Sequence, residues 1–227
     1  LTLRIRASLA VLPVLAVVMT AGTPGTSAHE QSAPGSIVGH VELRPPPQRR
    51  SVSRYAGGPS ATRGVQAVAA VAYLVGDLPS AASRATPTRV AIAQRDTAFV
   101  PSAVVVSTGS VVAFPNEDDF YHNVFSYSGN ARFDLGRYPR GQSKNVTFTE
   151  PGMVKIYCEV HEFMRAVVLV TDHPFHSVVS PEGNFRIGEV PPGSYTLVVS
   201  HPDVGETRRE VTVRDGETLR VSMVLSR

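Results

Sequence analysis

"VKIYCEVHEFMRAVVLVT", residues 154–171, reads as a β run, a short connection and a second β run. The first run, "VKIYC" (154–158), ends on Cys158, and "AVVLVT" (166–171) begins two residues after Met164. The connection holds the single cysteine of a 227-residue chain, with His161 three positions on and Met164 three beyond that. Two neighbouring strands joined this tightly place a thiol, an imidazole and a thioether at one end of a sheet. Side chains that would otherwise point apart can then converge.

The sequence on either side has the same rhythm. Short runs of Val, Ile, Phe, Tyr and Thr are punctuated by turn residues, and helical periodicity is almost absent. The 18 Gly and 18 Pro are spread along the chain and disfavour long helices. The fold class expected is all-β. Residues 89–171 offer runs at 89–94, 103–107, 110–115, 122–127, 143–149, 154–158 and 166–171, enough for one small sandwich.

Before this block stand "SIVGHVEL" (36–43) and "VAAVAYLV" (68–75), separated by "RPPPQRRSVSRYAGGPSATRG" (44–64), which has the composition of an exposed loop. A second polar segment, "GDLPSAASRATPT" (76–88), leads into the middle block. After it come "SPEGNFRI" (180–187), "VPPGSYTLVVSH" (190–201) and "REVTVRDGETLRVSMVL" (209–225), the last read as a hairpin about Asp215-Gly216. The final block is thin alone. The expectation is that 35–80 and 172–227 supply the strands of one smaller β-sandwich, with 89–171 inserted between them.

Residues 1–28 read as a secretory signal: Arg4 and Arg6, an apolar core from Leu9 to Met19, then small residues ending in Thr26-Ser27-Ala28. That core is too short to span a bilayer, which takes about 20 residues. The expected mature chain is therefore periplasmic or secreted, with no membrane span. Without Arg4 and Arg6 it carries 20 basic against 19 acidic side chains, which gives no ground for a nucleic-acid partner. One cysteine cannot form an internal disulfide, and in an oxidising compartment a free thiol needs a chemical reason to be there.

Metal chemistry supplies one. Thiolate and thioether sulfur are soft and imidazole is borderline. Two His and one Cys in a trigonal set, with a distant axial Met, make a blue-copper site. Structural zinc would call for more Cys or His, and covalent haem attachment would need a second cysteine. "FPNEDDFYHNVFS" (114–126) offers the remaining ligand: His122 opens a β run 36 residues before Cys158. Asn123 beside it can reach across to the cysteine loop and orient the ligands.

With these residues in place, "HNVFS" and "YCEVHEFMRAVVLV" resemble the cupredoxins, and the C-x-x-H-x-x-M spacing is most like that of the amicyanins. The wider run from Phe114 to Met164 is similar to plastocyanin-like proteins of bacterial periplasms. The resemblance implies a Greek-key sandwich over 89–171 and one type 1 copper ion. It further implies His122, Cys158 and His161 as equatorial ligands, Met164 as the axial one, and Asn123 as the tie between the ligand loops. "GSIVGHV", "AVAYL" and "SPEGNFRIGEVPPGSYTLVVSH" resemble the carboxypeptidase regulatory-like (prealbumin-like) sandwich, which implies no catalytic residue.

The function expected is single-electron carriage between redox partner proteins, with no enzymatic activity. His161 would be the electron port, and Tyr138, Pro139 and Phe163 an apolar docking rim. The alternative is a copper-binding, storage or structural module without redox turnover. The four methionines are scattered rather than gathered in a copper-carrying tract, which favours the redox reading. His173 and His176, in "DHPFHS", read as part of a polar interdomain turn or as a second metal site. His29 would be a copper-capable N-terminus if cleavage follows Ala28, while His40 and His201 read as structural. The acids of "PNEDD" read as solvated. No nucleophile elbow, phosphate loop or zinc-protease motif occurs.

Overall fold

The structure, a computed structural model, describes residues 32–44, 68–78 and 86–226. The signal segment at 1–28, His29, most of the 44–64 separator and residues 79–85 lie outside the described residues. The described chain is all-β and contains no helix long and apolar enough to cross a membrane. Its strands are β1 (Gly35–Arg44), β2 (Val71–Val75), β3 (Arg89–Ala91), β4 (Ala93–Arg95), β5 (Ala98–Val100), β6 (Ala103–Val106), β7 (Val111–Pro115) and β8 (His122–Ser128). Then follow β9 (Ala131–Tyr138), β10 (Ser143–Thr147), β11 (Gly152–Tyr157), β12 (Arg165–Val170), β13 (His176–Val178), β14 (Asn184–Val190), β15 (Gly193–His201), β16 (Gly205–Val213) and β17 (Thr218–Ser226).

The middle block forms a sheet ordered β10-β7-β3 and a sheet ordered β6-β12-β11-β8-β9. Phe99, Phe114, Phe148, Val154, Ile156 and Met164 fill one core with residues from both sheets. The first and last blocks share strands. β1 pairs antiparallel with β14 and parallel with β17, and β2 lies between β13 and β15, with β16 at the sheet edge. A second core between these sheets holds Ile37, Leu74, Phe185, Ile187, Leu197 and Leu225.

β12 explains its own composition. Ala166, Val168 and Val170 enter the middle core, while Val167 and Leu169 face the other way into a seam with Val71 and Ala103. Both faces are covered, so the strand is apolar throughout rather than alternating. Tyr73, Val105 and Met153 extend this seam between the two sandwiches.

Three local readings need correction. Residues 209–225 are not a hairpin: β16 pairs with β15, β17 pairs with β1, and the Asp215-Gly216 turn passes the chain from one sheet to the other. Val211 and Val213 thus meet Val221, Met223 and Leu225 across the core. The "DHPFHS" turn holds a short strand, with His176 opposite Tyr73. β9 has no counterpart in the sequence reading, although Ala131, Phe133 and Leu135 alternate with Arg132, Asp134 and Gly136 as in a half-buried strand.

Three half-buried imidazoles belong to the β2, β13 and β15 region. Burial pushes His173, His176 and His201 below the usual histidine range, and His176, with His173 adding to the effect, falls to about 4. An unfolded His176 takes up a proton below about pH 6.5 while the folded ring stays neutral. Stability is therefore full above that pH and declines as pH falls toward 4. Allowing for partial exposure, His176 should cost about 1–2 kcal/mol between pH 7 and pH 5. Urea midpoints at the two pH values, compared with His176→Gln, measure this. An equal pH drop in both proteins would remove the assignment.

Candidate metal centre

Strand periodicity aims the cysteine. On β11, Val154 and Ile156 face the middle core, and Cys158, just past the strand, continues that side with 3% exposure. Residues 158–164 then link β11 to β12, and the Met164 amide donates to the His161 carbonyl at 2.9 Å, turning the chain back. Met164 is fully buried in the same core as Cys158.

His122 opens β8 and is fully buried. The loop before it is built around Asn116, itself buried. Its Nδ2 donates to the carbonyls of Phe120 and Tyr138 at 2.9 Å each, and its Oδ1 accepts the Asp118 amide at 3.0 Å. β8 pairs His122 with Tyr138 and then carries a bulge against β9 between Asn123 and Phe125. Gly136, at φ 63°, supplies the left-handed backbone beside it.

Three of the four sequence-predicted ligands, His122, Cys158 and His161, converge. His122 Nδ1 lies 3.8 Å from Cys158 Sγ and 3.1 Å from His161 Nδ1, and the three donor atoms all lie within 4.8 Å of one another. That spacing fits one ion bound at about 2.0–2.3 Å by nitrogen and sulfur. A buried thiolate with two imidazoles is a soft-to-borderline donor set that suits copper. Among the described residues this is the one group of three or more side chains able to hold a metal; His173 and His176 join no such group. Asn123 Oδ1 accepts the Glu159 amide at 2.6 Å, bridging from β8 to the cysteine loop.

Asp118 is the residue the sequence reading missed. It is not solvated: its Oδ2 lies 2.7 Å from His122 Nε2, and its carboxylate accepts the amides of Asp96 at 2.7 Å and Thr97 at 3.0 Å. Those amides belong to the β4–β5 turn, where both residues have positive φ, 54° and 58°. With Nε2–H held by Asp118, the lone pair of a neutral His122 sits on Nδ1, the atom facing Cys158. The one available signal was the i, i+4 spacing of Asp118 and His122 across a turn.

The charges are mutually reinforcing. Burial raises the Cys158 thiol, but His122 and the amides of Asn123, His161 and Val160 outweigh it and hold the thiol below its usual range. Burial opposes a charged His122, yet Cys158 and Asp118 raise it. Burial likewise opposes ionised Asp118, and the Thr97 amide, His122 and the Asp96 amide lower it. Asp118 and Cys158 thus flank one imidazole, each lowered by it and each raising it.

His161 is the more exposed imidazole, and its ring contacts Phe120 and Phe163 at 5.5 and 5.7 Å between centroids. Phe120, Tyr121 and Val160 are exposed around it. Tyr138 is not part of this rim. It is buried, and its hydroxyl donates to the Phe114 carbonyl at 2.8 Å while accepting from Gln94 at 2.7 Å.

An all-β sandwich that gathers one buried cysteine and two imidazoles at a strand end and a following loop has the donor set of a copper-binding domain. Residues 87–171 match the copper binding proteins of the plastocyanin/azurin family, and residues 163–226 match the carboxypeptidase regulatory-like domain. Copper is accordingly the cofactor of the middle domain. No curated protein matches the chain. Among solved structures it is similar to a copper-containing nitrite reductase (NirK) from Thermus scotoductus SA-01, at 25% identity and a TM-score of 0.35. That likeness covers 37% of this chain and 22% of the reductase, so the chain spans about a fifth of that protein. It is also similar to a mutant amicyanin in the Cu(I) state, at 24% identity over 44% of this chain and 97% of the amicyanin, TM-score 0.35. A second, reduced amicyanin mutant is 25% identical over the same shares, also at 0.35.

Proposed function

We propose that this chain is an exported type 1 copper protein that carries single electrons between periplasmic redox partners, not an enzyme. The observation that carries the reading is the gathering, within 4.8 Å, of Cys158 Sγ and two imidazole nitrogens at a strand end and the loop that follows, with Cys158 and His122 buried. Copper would supply a one-electron Cu(II)/Cu(I) couple. His122, Cys158 and His161 would bind it equatorially and Met164 axially, with Asn123 tying the two ligand loops and Asp118 fixing the His122 tautomer. A site pre-organised by the Asn116 and Asn123 hydrogen bonds would move little between oxidation states. His161 would be the electron port, with Phe120, Tyr121, Val160 and Phe163 as the surface a partner meets. In this reading 35–80 and 172–227 form the outer sandwich around a cupredoxin domain at 89–171.

Titration of the purified full chain with Cu(II) tests this. An intense blue thiolate-to-copper absorption should rise to a maximum at one equivalent, bleach on reduction and return on reoxidation. Tight binding without such a band would overturn the electron-carrier reading and favour copper storage or a structural role.

A further inference from the structure

We infer that the outer sandwich is a structural part of the metal centre. Its turn at residues 202–204 clamps the base of the ligand loop and so sets how firmly Cys158 and Met164 are held. The loop's base is the pair Tyr157 and Arg165, opposite each other on β11 and β12. Tyr157 directly precedes Cys158, and Arg165 directly follows Met164. Arg165 forms a half-buried ion pair with Asp203 of the outer sandwich, and its Nε donates to the Glu162 carbonyl within the ligand loop at 3.4 Å. One guanidinium thus links the loop to the second sandwich.

One more contact grips the same place. Lys155, two residues before Tyr157 and on the same face of β11, donates to the Pro202 carbonyl at 3.0 Å. The turn is itself braced, since His201 Nδ1 accepts the amides of Asp203 and Val204 at 3.1 and 3.3 Å, and Val204 is buried in the outer core. Beneath it, Val71 and Tyr73 of the outer sandwich pack on Ala103, Val167, Leu169 and Met153. The Ala69 amide also donates to Ser102 Oγ at 3.1 Å. A surface ion pair alone is worth little. This one closes over an apolar seam at the strand that leaves the loop, while Lys155 on the Pro202 carbonyl holds the strand that enters it, so Asp203 is a positioning residue.

The clamp stands on contacts within the chain; its purpose rests on the copper reading. The test is amide hydrogen exchange on the metal-free full chain. In Asp203→Asn, exchange at residues 159–164 should speed up about tenfold while β15 amides keep their protection, and Asp203→Glu should restore most of the slowing. Unchanged loop exchange in Asp203→Asn, or an equal rise throughout the outer sandwich, would overturn the clamp. In the copper-loaded protein, Asp203→Asn should change the ratio of Cu(I) to Cu(II) affinity at least about threefold, which at 59 mV per tenfold is about 28 mV. An unchanged potential would overturn the clamp's role at the metal. If the unaltered chain shows no blue band, the electron-carrier reading fails, and the exchange result still decides the clamp.

Discussion

Cys158→Ser should abolish the intense blue absorption of the Cu(II) protein while leaving the fold intact. The intense band requires a thiolate that donates charge to Cu(II). A serine hydroxyl is neutral at the same pH, is a hard donor, and cannot replace it. Two imidazoles remain at His122 and His161, so some Cu(II) binding should persist with only weak colour. The substitution is nearly isosteric in a buried position, and circular dichroism should match the unaltered protein. Asp118→Asn should act differently. All of the thiolate chemistry survives, but the carboxylate that orients His122 Nε2 and accepts the Asp96 and Thr97 amides is gone. An amide must turn its NH₂ toward one of these donors. Copper affinity should fall about 10–100-fold, the usual cost of losing a partner of a ligating histidine. A competition titration with a chelator of known affinity measures this. Unchanged affinity would mean that His122 needs no carboxylate to present Nδ1.

Asn116→Ala should be the most destabilising substitution near the site. The side chain is 1% exposed and makes three hydrogen bonds, to two carbonyls and one amide. Alanine removes all three of these hydrogen bonds, at about 1–3 kcal/mol for each buried group left unsatisfied. A total loss of about 3–4 kcal/mol is expected, because some groups will find water. The urea midpoint should fall with the slope unchanged, as for a purely native-state effect. The same loop carries Asp118, so copper affinity should drop as well. A stability loss under about 1 kcal/mol would show that the loop is held by its backbone alone.

What the sequence determined by itself is the chemistry of the ligands and the class of fold. One cysteine with His161 and Met164 at fixed spacing, on a connection between two β runs, restricts the metal through donor softness, which is a property of residue type. Short apolar runs between Gly and Pro turns restrict the backbone to strands, a local preference legible residue by residue. What tertiary structure alone decided is every contact between residues distant in the chain. The parallel pairing of β17 with β1, where a hairpin was expected, depends on which sheet each face is buried against, and local pattern is the same in both cases. Tyr138 left the docking rim for the core because a buried carbonyl and a glutamine were there to satisfy its hydroxyl. Asp118 looks like any solvated acid until the amides of a turn some 20 residues earlier and the ring of His122 close around it. Asp203 reaches Arg165 because the apolar faces of β12 and β2 pack together and bring the two sandwiches into contact. Burial of polar groups depends on the assembled fold, and that is why the candidate ligands and Asn123 were legible in the sequence while Asn116, Asp118 and Asp203 were not.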